Sequence, residues 1–239
     1  MTTSDYIVHS SGPVTLIGGG EATQQDLSDA LALAPTCVAA DGGAALAVAA
    51  GVPLAALIGD LDSTSPDVLA QIPPARRHLI AEQESTDFDK ALSRIDAPLV
   101  WGVGFTGGRL DHQLAAFNTL AAFAHRPCIL LGPQEIVLLA PPRITLPTMA
   151  GEVVSLMPLA PVRGTSTGLL WPIDGLDFAP GGQIGTSNQA AGPIDLTFES
   201  PDMLLIIPRR LMAPLTAQLL QPDRARWPVR AERHKAPRP

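Results

Sequence analysis

Along the first half of the chain, short apolar runs alternate with amphipathic stretches, and glycine or aspartate marks most changes. Residues 14–17 form the first run, ended by Gly18-Gly19-Gly20; Leu27, Leu31 and Ala34 then recur at helical spacing until Pro35. Residues 37–40 form the second run, closed by Asp41-Gly42-Gly43, and an alanine-rich helix leads to Gly51-Val52-Pro53. The third run, 54–58, delivers Gly59-Asp60-Leu61-Asp62-Ser63; runs at 78–80, 99–104 and 128–131 follow. Phe88, Ala91, Leu92 and Ile95 predict one amphipathic helix, and Leu110, Leu114, Phe117, Leu120 and Ala121 another. This alternation predicts parallel strands joined by right-handed crossovers, with ligands at the strands' carboxyl ends. Residues 1–13 read as a loose leader.

After about residue 134 the pattern changes. Short alternating or apolar runs at 135–140, 143–147, 152–158, 168–171, 175–178, 183–187, 193–199 and 202–208 are separated by Pro and Gly, and a helical pattern returns only over 211–220. The expected class is therefore α/β plus all-β: a Rossmann-like parallel-sheet domain over 14–133, a β-sandwich over 134–210 and a C-terminal segment over 211–239.

Composition narrows the classes. Charged residues are 16% and hydrophobic residues 46% of the 239, which excludes a disordered chain. No run of eighteen apolar residues occurs, nor a basic start leading into an apolar stretch, so no membrane span or secretory signal is expected. Two distant cysteines, Cys37 and Cys128, make no disulfide framework; they read as packing residues in a cytoplasmic protein. The net charge of −7 divides unevenly: from Gln221 on, six basic residues face two acidic ones, leaving a body of net −11. An acidic body argues against nucleic-acid binding, and the basic tail reads as a frayed, solvated end.

Three strand ends carry candidate chemistry. Side chains at i and i+2 of a strand share a face, so Asp60 and Asp62 converge if strand geometry persists. Crowded carboxylates repel unless a cation intervenes, and hard oxygens suit Mg²⁺ with substrate phosphates; the plain alternative is an Asp/Ser turn. In Ser85-Thr86-Asp87-Phe88-Asp89-Lys90, a Ser or Thr caps a helix and acids suit its N-terminus. Lys90 runs against the dipole, however, and lies beside Asp87 at i, i+3, as a triphosphate–metal site would use. At the next helix start, Arg109 offers a phosphate fork. Asp111 either joins the carboxylates or caps the helix, and His112 has the weakest signal. Gly18-Gly19-Gly20 fits a dinucleotide fingerprint poorly, since its third glycine would fall at Thr23, although Asp41 stands near the expected ribose acid. Gly185-Thr186-Ser187-Asn188 reads equally as a turn or as a neutral hydrogen-bonding patch for a small heterocycle.

Taken in order, Asp41-Gly42-Gly43, Gly59-Asp60-Leu61-Asp62-Ser63, Ser85 to Lys90, Gly108-Arg109-Leu110-Asp111-His112 and Gly185 to Asn188 resemble thiamine pyrophosphokinase over roughly residues 14–208. The resemblance implies a homodimer with active sites between subunits, ATP and Mg²⁺ on the α/β domain, and thiamine on the β domain. It implies transfer of the terminal diphosphate of ATP to the thiamine hydroxyl, releasing AMP. On that resemblance Asp60, Asp62 and Asp111 are metal-binding and catalytic acids, with Asp87 and Lys90 also catalytic. Gly42, Gly43, Gln83, Thr86, Arg109 and His112 bind ATP, and Trp171, Thr186, Ser187 and Asn188 bind thiamine. The chain departs from the family pattern at Ala45 and Ala116, where Asn is common, and at Gln189, Ala190 and Ala191, where an aromatic lid is common. Those departures keep open a related transferase with another alcohol acceptor, or a sensor that binds without turnover.

Overall fold

The computed structural model describes residues 6–230. Two short strands, β1 (Val8–His9) and β6 (Ile95–Asp96), pair in parallel beside the main sheet. The main sheet begins with β2 (Val14–Ile17), β3 (Thr36–Ala40), β4 (Ala56–Gly59), β5 (Arg77–Leu79), β7 (Val100–Val103) and β8 (Cys128–Leu131). These six are parallel in the order β5-β4-β3-β2-β7-β8. The direction of winding reverses between β2 and β7. Strands β2, β4, β7 and β8 are buried at every position, as expected of parallel strands covered on both faces. Thr15 is tolerated there because its hydroxyl donates to the Ala34 carbonyl at 2.7 Å.

Helices α1 (Gln24–Leu33), α2 (Ala44–Ala49), α3 (Pro66–Ala70), α4 (Asp87–Ser93) and α5 (Leu110–Ala122) connect these strands. Thr23 and Asp26 form a capping box that starts α1. The three glycines after β2 are used in tight packing: Gly18 N–H donates to the Val103 carbonyl and Gly20 N–H to that of Gly104.

The second half contains β9 (Glu135–Leu139), β10 (Arg143–Leu146), β11 (Val153–Pro158), β12 (Gly164–Leu169), β13 (Gly185–Phe198), β14 (Met203–Pro208) and α6 (Met212–Leu219). β9 pairs antiparallel with β8, and the sheet continues through β14, β11, β13 and β10, so hydrogen bonding runs unbroken across residue 133. One apolar cluster accordingly joins Trp101, Ile129 and Leu131 to Ile144, Leu156 and Leu205. The Trp101 indole N–H donates to the Thr216 hydroxyl at 3.1 Å, tying α6 to β7.

Several expectations need correction. The runs 183–187 and 193–199 belong to one bent strand, β13. Its start pairs with β11 and its end with β10 and β12; Gly192-Pro193 marks the bend rather than a break. Residues 175–178 form no strand, contributing only isolated bridges at Phe178. Ile95 leaves the helical register for β6, where it pairs with Val8 of the supposed leader. The C-terminal segment is docked as far as Arg230: beyond Gln221, Arg224, Trp227 and Arg230, every third residue, are half-buried. Trp227 Nε1 donates to the Ala140 carbonyl at 2.8 Å, and Arg230 pairs with Asp202. Glu232, Arg233, Lys235 and Arg238 lie outside the described residues. Both cysteines are free and buried, and burial pushes the Cys37 thiol up to about 12. Among the described residues, no helix is long and apolar enough to cross a membrane.

Candidate active site

Because β3 and β4 are adjacent and in register at Ala40 and Ile58, the first residues beyond them, Asp41 and Asp60, meet at the same sheet edge. Gly59 permits this approach: a Cβ there would lie 2.9 Å from that of Asp41. Helix α4 packs over β3 and β4 and brings Asp87 and Lys90 to the same edge. Its start is fixed by a Thr86/Asp89 capping box, and Phe88 stacks on Phe105 with ring centroids 4.2 Å apart. Asp89 also accepts from the Thr119 hydroxyl at 2.9 Å, which joins α4 to α5.

The Lys90 side chain is only 2% exposed, and its ammonium donates to Asp60 Oδ2 at 2.8 Å and to Asp87 Oδ1 at 3.3 Å. Gln83 Nε2 donates to the same Asp60 oxygen at 2.9 Å. Asp41 accepts from the Thr64 hydroxyl at 2.8 Å and the Ser63 N–H at 3.2 Å. Oxygens of Asp41, Asp60 and Asp87 all lie within 4.8 Å of one another. Three carboxylates around one ammonium leave two negative charges uncompensated when all are ionised.

The proton affinities follow from this imbalance. The Lys90 hydrogen bond holds the Asp60 carboxyl down at about 2. Burial pushes Asp41 and Asp87 above the usual carboxylate range, and the Asp60 charge adds to both. Burial opposes the charge on Lys90, but the hydrogen bond with Asp60 and the charge on Asp87 outweigh it and raise its pKa. Hard oxygen donors with surplus negative charge fit a divalent cation such as Mg²⁺.

The other sequence candidates are distributed as follows. Strand β4 ends at Gly59 and Leu61 turns at φ 64°, so Asp60 and Asp62 do not project by strand alternation. Asp62 is exposed, its Oδ1 accepting from the Ser63 hydroxyl at 3.0 Å, though its charge still reaches Asp87. Asp111 is tied to Arg109 in an exposed pair at 2.6 Å at the start of α5, with His112 exposed beside it. Gly42 and Gly43 form a 3₁₀ turn after β3, and a Cβ at Gly43 would lie 2.2 Å from the Ile17 carbonyl oxygen. The carboxylate that sequence reading left out of the acidic set is Asp41. Its signal was present: it occupies the end of β3 as Asp60 occupies the end of β4.

Trp171, Thr186, Ser187 and Asn188 do come together, lining an open cleft of about 310 Å³ with Ile173 and Phe178. Ser187 turns at φ 61°, its N–H donating to the Ser155 hydroxyl at 3.0 Å. This cleft lies on β13, seven strand steps from β3 and eight from β4. At ~4.8 Å per step the two regions are roughly 35 Å apart along the sheet.

Fold and site together define an α/β protein with an acidic, lysine-braced edge, joined through one sheet to a β unit with a partly apolar cleft. Two family models divide the chain the same way: "Thiamin pyrophosphokinase, catalytic domain" matches residues 27–131, and "Thiamin pyrophosphokinase, vitamin B1 binding domain" matches 143–203. The chain belongs to the thiamine pyrophosphokinase family. Thiamine pyrophosphokinase 3 of Oryza sativa subsp. japonica is 30% identical over 149 residues, covering 54% of this chain and 56% of that relative. Thiamine pyrophosphokinase 1 of Arabidopsis thaliana is 28% identical over the same length. The chain thus matches about half the length of these curated relatives. Among solved structures, thiamin pyrophosphokinase from Geobacillus thermodenitrificans superposes with TM-score 0.67 at 26% identity, covering 82% of this chain and 96% of that one. The Candida albicans enzyme gives TM-score 0.70 at 17% identity, with 87% and 95% covered. The latter likeness is one of fold.

Proposed function

We propose that this chain transfers the terminal diphosphate of ATP to the hydroxyl of thiamine, giving thiamine diphosphate and AMP. The observation that carries the reading is the Asp41/Asp60/Asp87 cluster braced by Lys90, which sits inside the match to the catalytic-domain model. In the proposed division, residues 14–133 form a Rossmann-like ATP domain. The reversal of winding between β2 and β7 supports that description. Residues 134–210 form the thiamine-binding sandwich, within which the vitamin B1 model matches, and residues 211–239 form the C-terminal segment.

Asp41, Asp60 and Asp87 would hold Mg²⁺, with Asp62 and Asp111 as the further acids that the family resemblance adds. Bound there, the ion would supply charge neutralisation for the triphosphate. Lys90 and Arg109 neutralise further charge, while Gly42, Gly43, Gln83, Thr86 and His112 complete the ATP side. In the transfer, the thiamine oxygen bonds to the β-phosphorus, the bond from that phosphorus to the α,β-bridging oxygen breaks, and AMP leaves with that oxygen. Asp87 orients the acceptor hydroxyl or accepts its proton, with Asp111 as the alternative acceptor. Thr186, Ser187 and Asn188 form the polar wall of the thiamine cleft. The Trp171 face attracts the cationic thiazolium.

The seven to eight strand steps, roughly 35 Å along the sheet, between cleft and carboxylates support a homodimer in which each active site takes one half from each copy. Exposed Met149, Val153, Leu170 and Ile184 give the β unit an apolar surface for a second copy. Two buried, unpaired thiols support a cytoplasmic setting. The test is incubation with ATP, Mg²⁺ and thiamine, with the nucleotides resolved by chromatography. Thiamine-dependent AMP is expected; ADP in its place would contradict diphosphate transfer.

A further inference from the structure

The ladder between β12 and β13 changes character where it reaches the cleft. Main-chain register runs from Gly164↔Phe198 to Thr167↔Asp195, then jumps to Leu169↔Ala190 across the Gly192-Pro193 bend. The next main-chain bond is from Leu170 N–H to the Gln189 carbonyl at 2.7 Å. At Asn188 the main chain of β13 is in register with Val154 of β11 instead. The rung toward Trp171 is made by a side chain: Asn188 Oδ1 accepts from Trp171 N–H at 3.3 Å, and Nδ2 donates to the Trp171 carbonyl at 2.7 Å. The same Oδ1 accepts from Gln189 N–H at 2.8 Å. A primary amide carries the donor and acceptor of a peptide group, so the Asn188 side chain adds the rung that follows the Leu170–Gln189 main-chain bond, on the side its own main chain turns away from. Asn188 is 6% exposed and Trp171 is 55% exposed, which puts the amide inside and the indole on the cleft wall.

We infer that Asn188 is a positioning residue: it fixes the main chain of Trp171 so that the indole is preorganised against the acceptor ring, rather than gripping the acceptor itself. The inference rests on the reading of this cleft as the thiamine half-site. An indole on an unbraced segment must be ordered when ligand binds, and that cost falls on affinity. The reacting atoms lie at the carboxylates, so the loss falls on the thiamine KM and leaves kcat nearly unchanged.

The test compares wild type, N188A, W171A and the double variant in steady-state kinetics, together with tryptophan emission and acrylamide quenching without ligands. Subtracting W171F from wild type, and N188A/W171F or N188D/W171F from the matching Asn188 variant, isolates Trp171 from Trp101 and Trp227. In N188A, Trp171 emission shifts, its quenching rises, and the thiamine KM rises about tenfold, the equivalent of about 1.4 kcal/mol; in the W171A background the same substitution changes KM less than about twofold. N188D, which keeps the size and acceptor but loses the donor, gives the same pattern and serves if N188A does not fold. An equal KM penalty in both backgrounds would overturn the inference, because Asn188 would then act on the acceptor directly. Unchanged Trp171 emission and quenching in both Asn188 variants would also overturn it, whether or not the wild type uses thiamine. Absence of thiamine turnover in wild type would refute the proposed function, and the ligand-free emission would still decide the brace.

Discussion

Replacing Lys90 by Met removes the one ammonium from three crowded carboxylates at nearly constant side-chain volume. Asp60 stands at about 2 against an ordinary 3.8, and its side chain is 13% exposed, so solvent screens the pair little. That displacement corresponds to roughly 2 kcal/mol of folded-state stability at neutral pH. The variant also loses the Asp87 contact and leaves buried charge without a partner, which brings the expected loss to about 3–5 kcal/mol. For a chain of this size, each kcal/mol moves Tm by about 2–4 °C, so a drop of roughly 10 °C is expected in the absence of divalent ions and ATP. The sign of the pH dependence is fixed. In wild type the depressed Asp60 contributes stability above its unfolded pKa and loses it as pH falls toward 2. In the variant the unbraced carboxyls are raised, so the folded state recovers stability as they take up protons. The gap between the two proteins therefore narrows as pH falls below about 5. Denaturation of both proteins across pH 3.5–8, with ~0.5 kcal/mol resolution, measures this. Equal stability at pH 7, or a gap that does not change with pH, would refute the charge reasoning.

Asp62→Asn should lower turnover by at least about 10²-fold while leaving the denaturation midpoint within about 0.5 kcal/mol of wild type, because its exposed carboxylate has little structural role. Mn²⁺ at a hundredfold excess over its Kd should stabilise the protein by about 2.7 kcal/mol, an effect that Asp41→Asn removes. Burial raises Asp41 and Asp87, so Mn²⁺ affinity measured by calorimetry should fall as pH drops and these groups take up protons. Trp227→Ala should cost roughly 2 kcal/mol in urea denaturation, from lost apolar burial and the bond to the Ala140 carbonyl; a change near zero would mean that the C-terminal segment is not docked in solution.

The parallel strands were legible because burial on both faces forces continuous apolar runs, so 14–17 and 128–131 have the same bounds in sequence and structure. Helix starts were legible where capping chemistry is local, as at Thr86. Long-range effects were less accessible. Gly192-Pro193 carries the local mark of a break, and only pairing with three neighbouring strands holds β13 together through it. Ile95 fits the period of α4, but the helix ends at Ser93 and Val8, far away in sequence, captures it. The site was legible as a set of strand ends. Which acids meet depended on the β3–β4 register and on the turn at Leu61, so Asp41 joined the cluster while Asp62 and Asp111 stayed outside it. Composition read the basic tail as solvated, whereas packing of every third residue, Arg224, Trp227 and Arg230, holds its first part against the body.

Subunit mixing tests most directly whether the acidic edge and the distant cleft form one active site. Asp60→Asn disables the edge, and Thr186→Lys places a cation in the cleft against a cationic acceptor; each variant alone should be inactive in thiamine-dependent AMP release. Co-expressed in equal amounts as dimers, half the assemblies are mixed, and each mixed dimer has one intact site of two. The mixture should therefore regain about one quarter of wild-type activity. Failure of the mixture to regain activity, with mixed dimers demonstrated by mass spectrometry, would contradict a site shared between two copies.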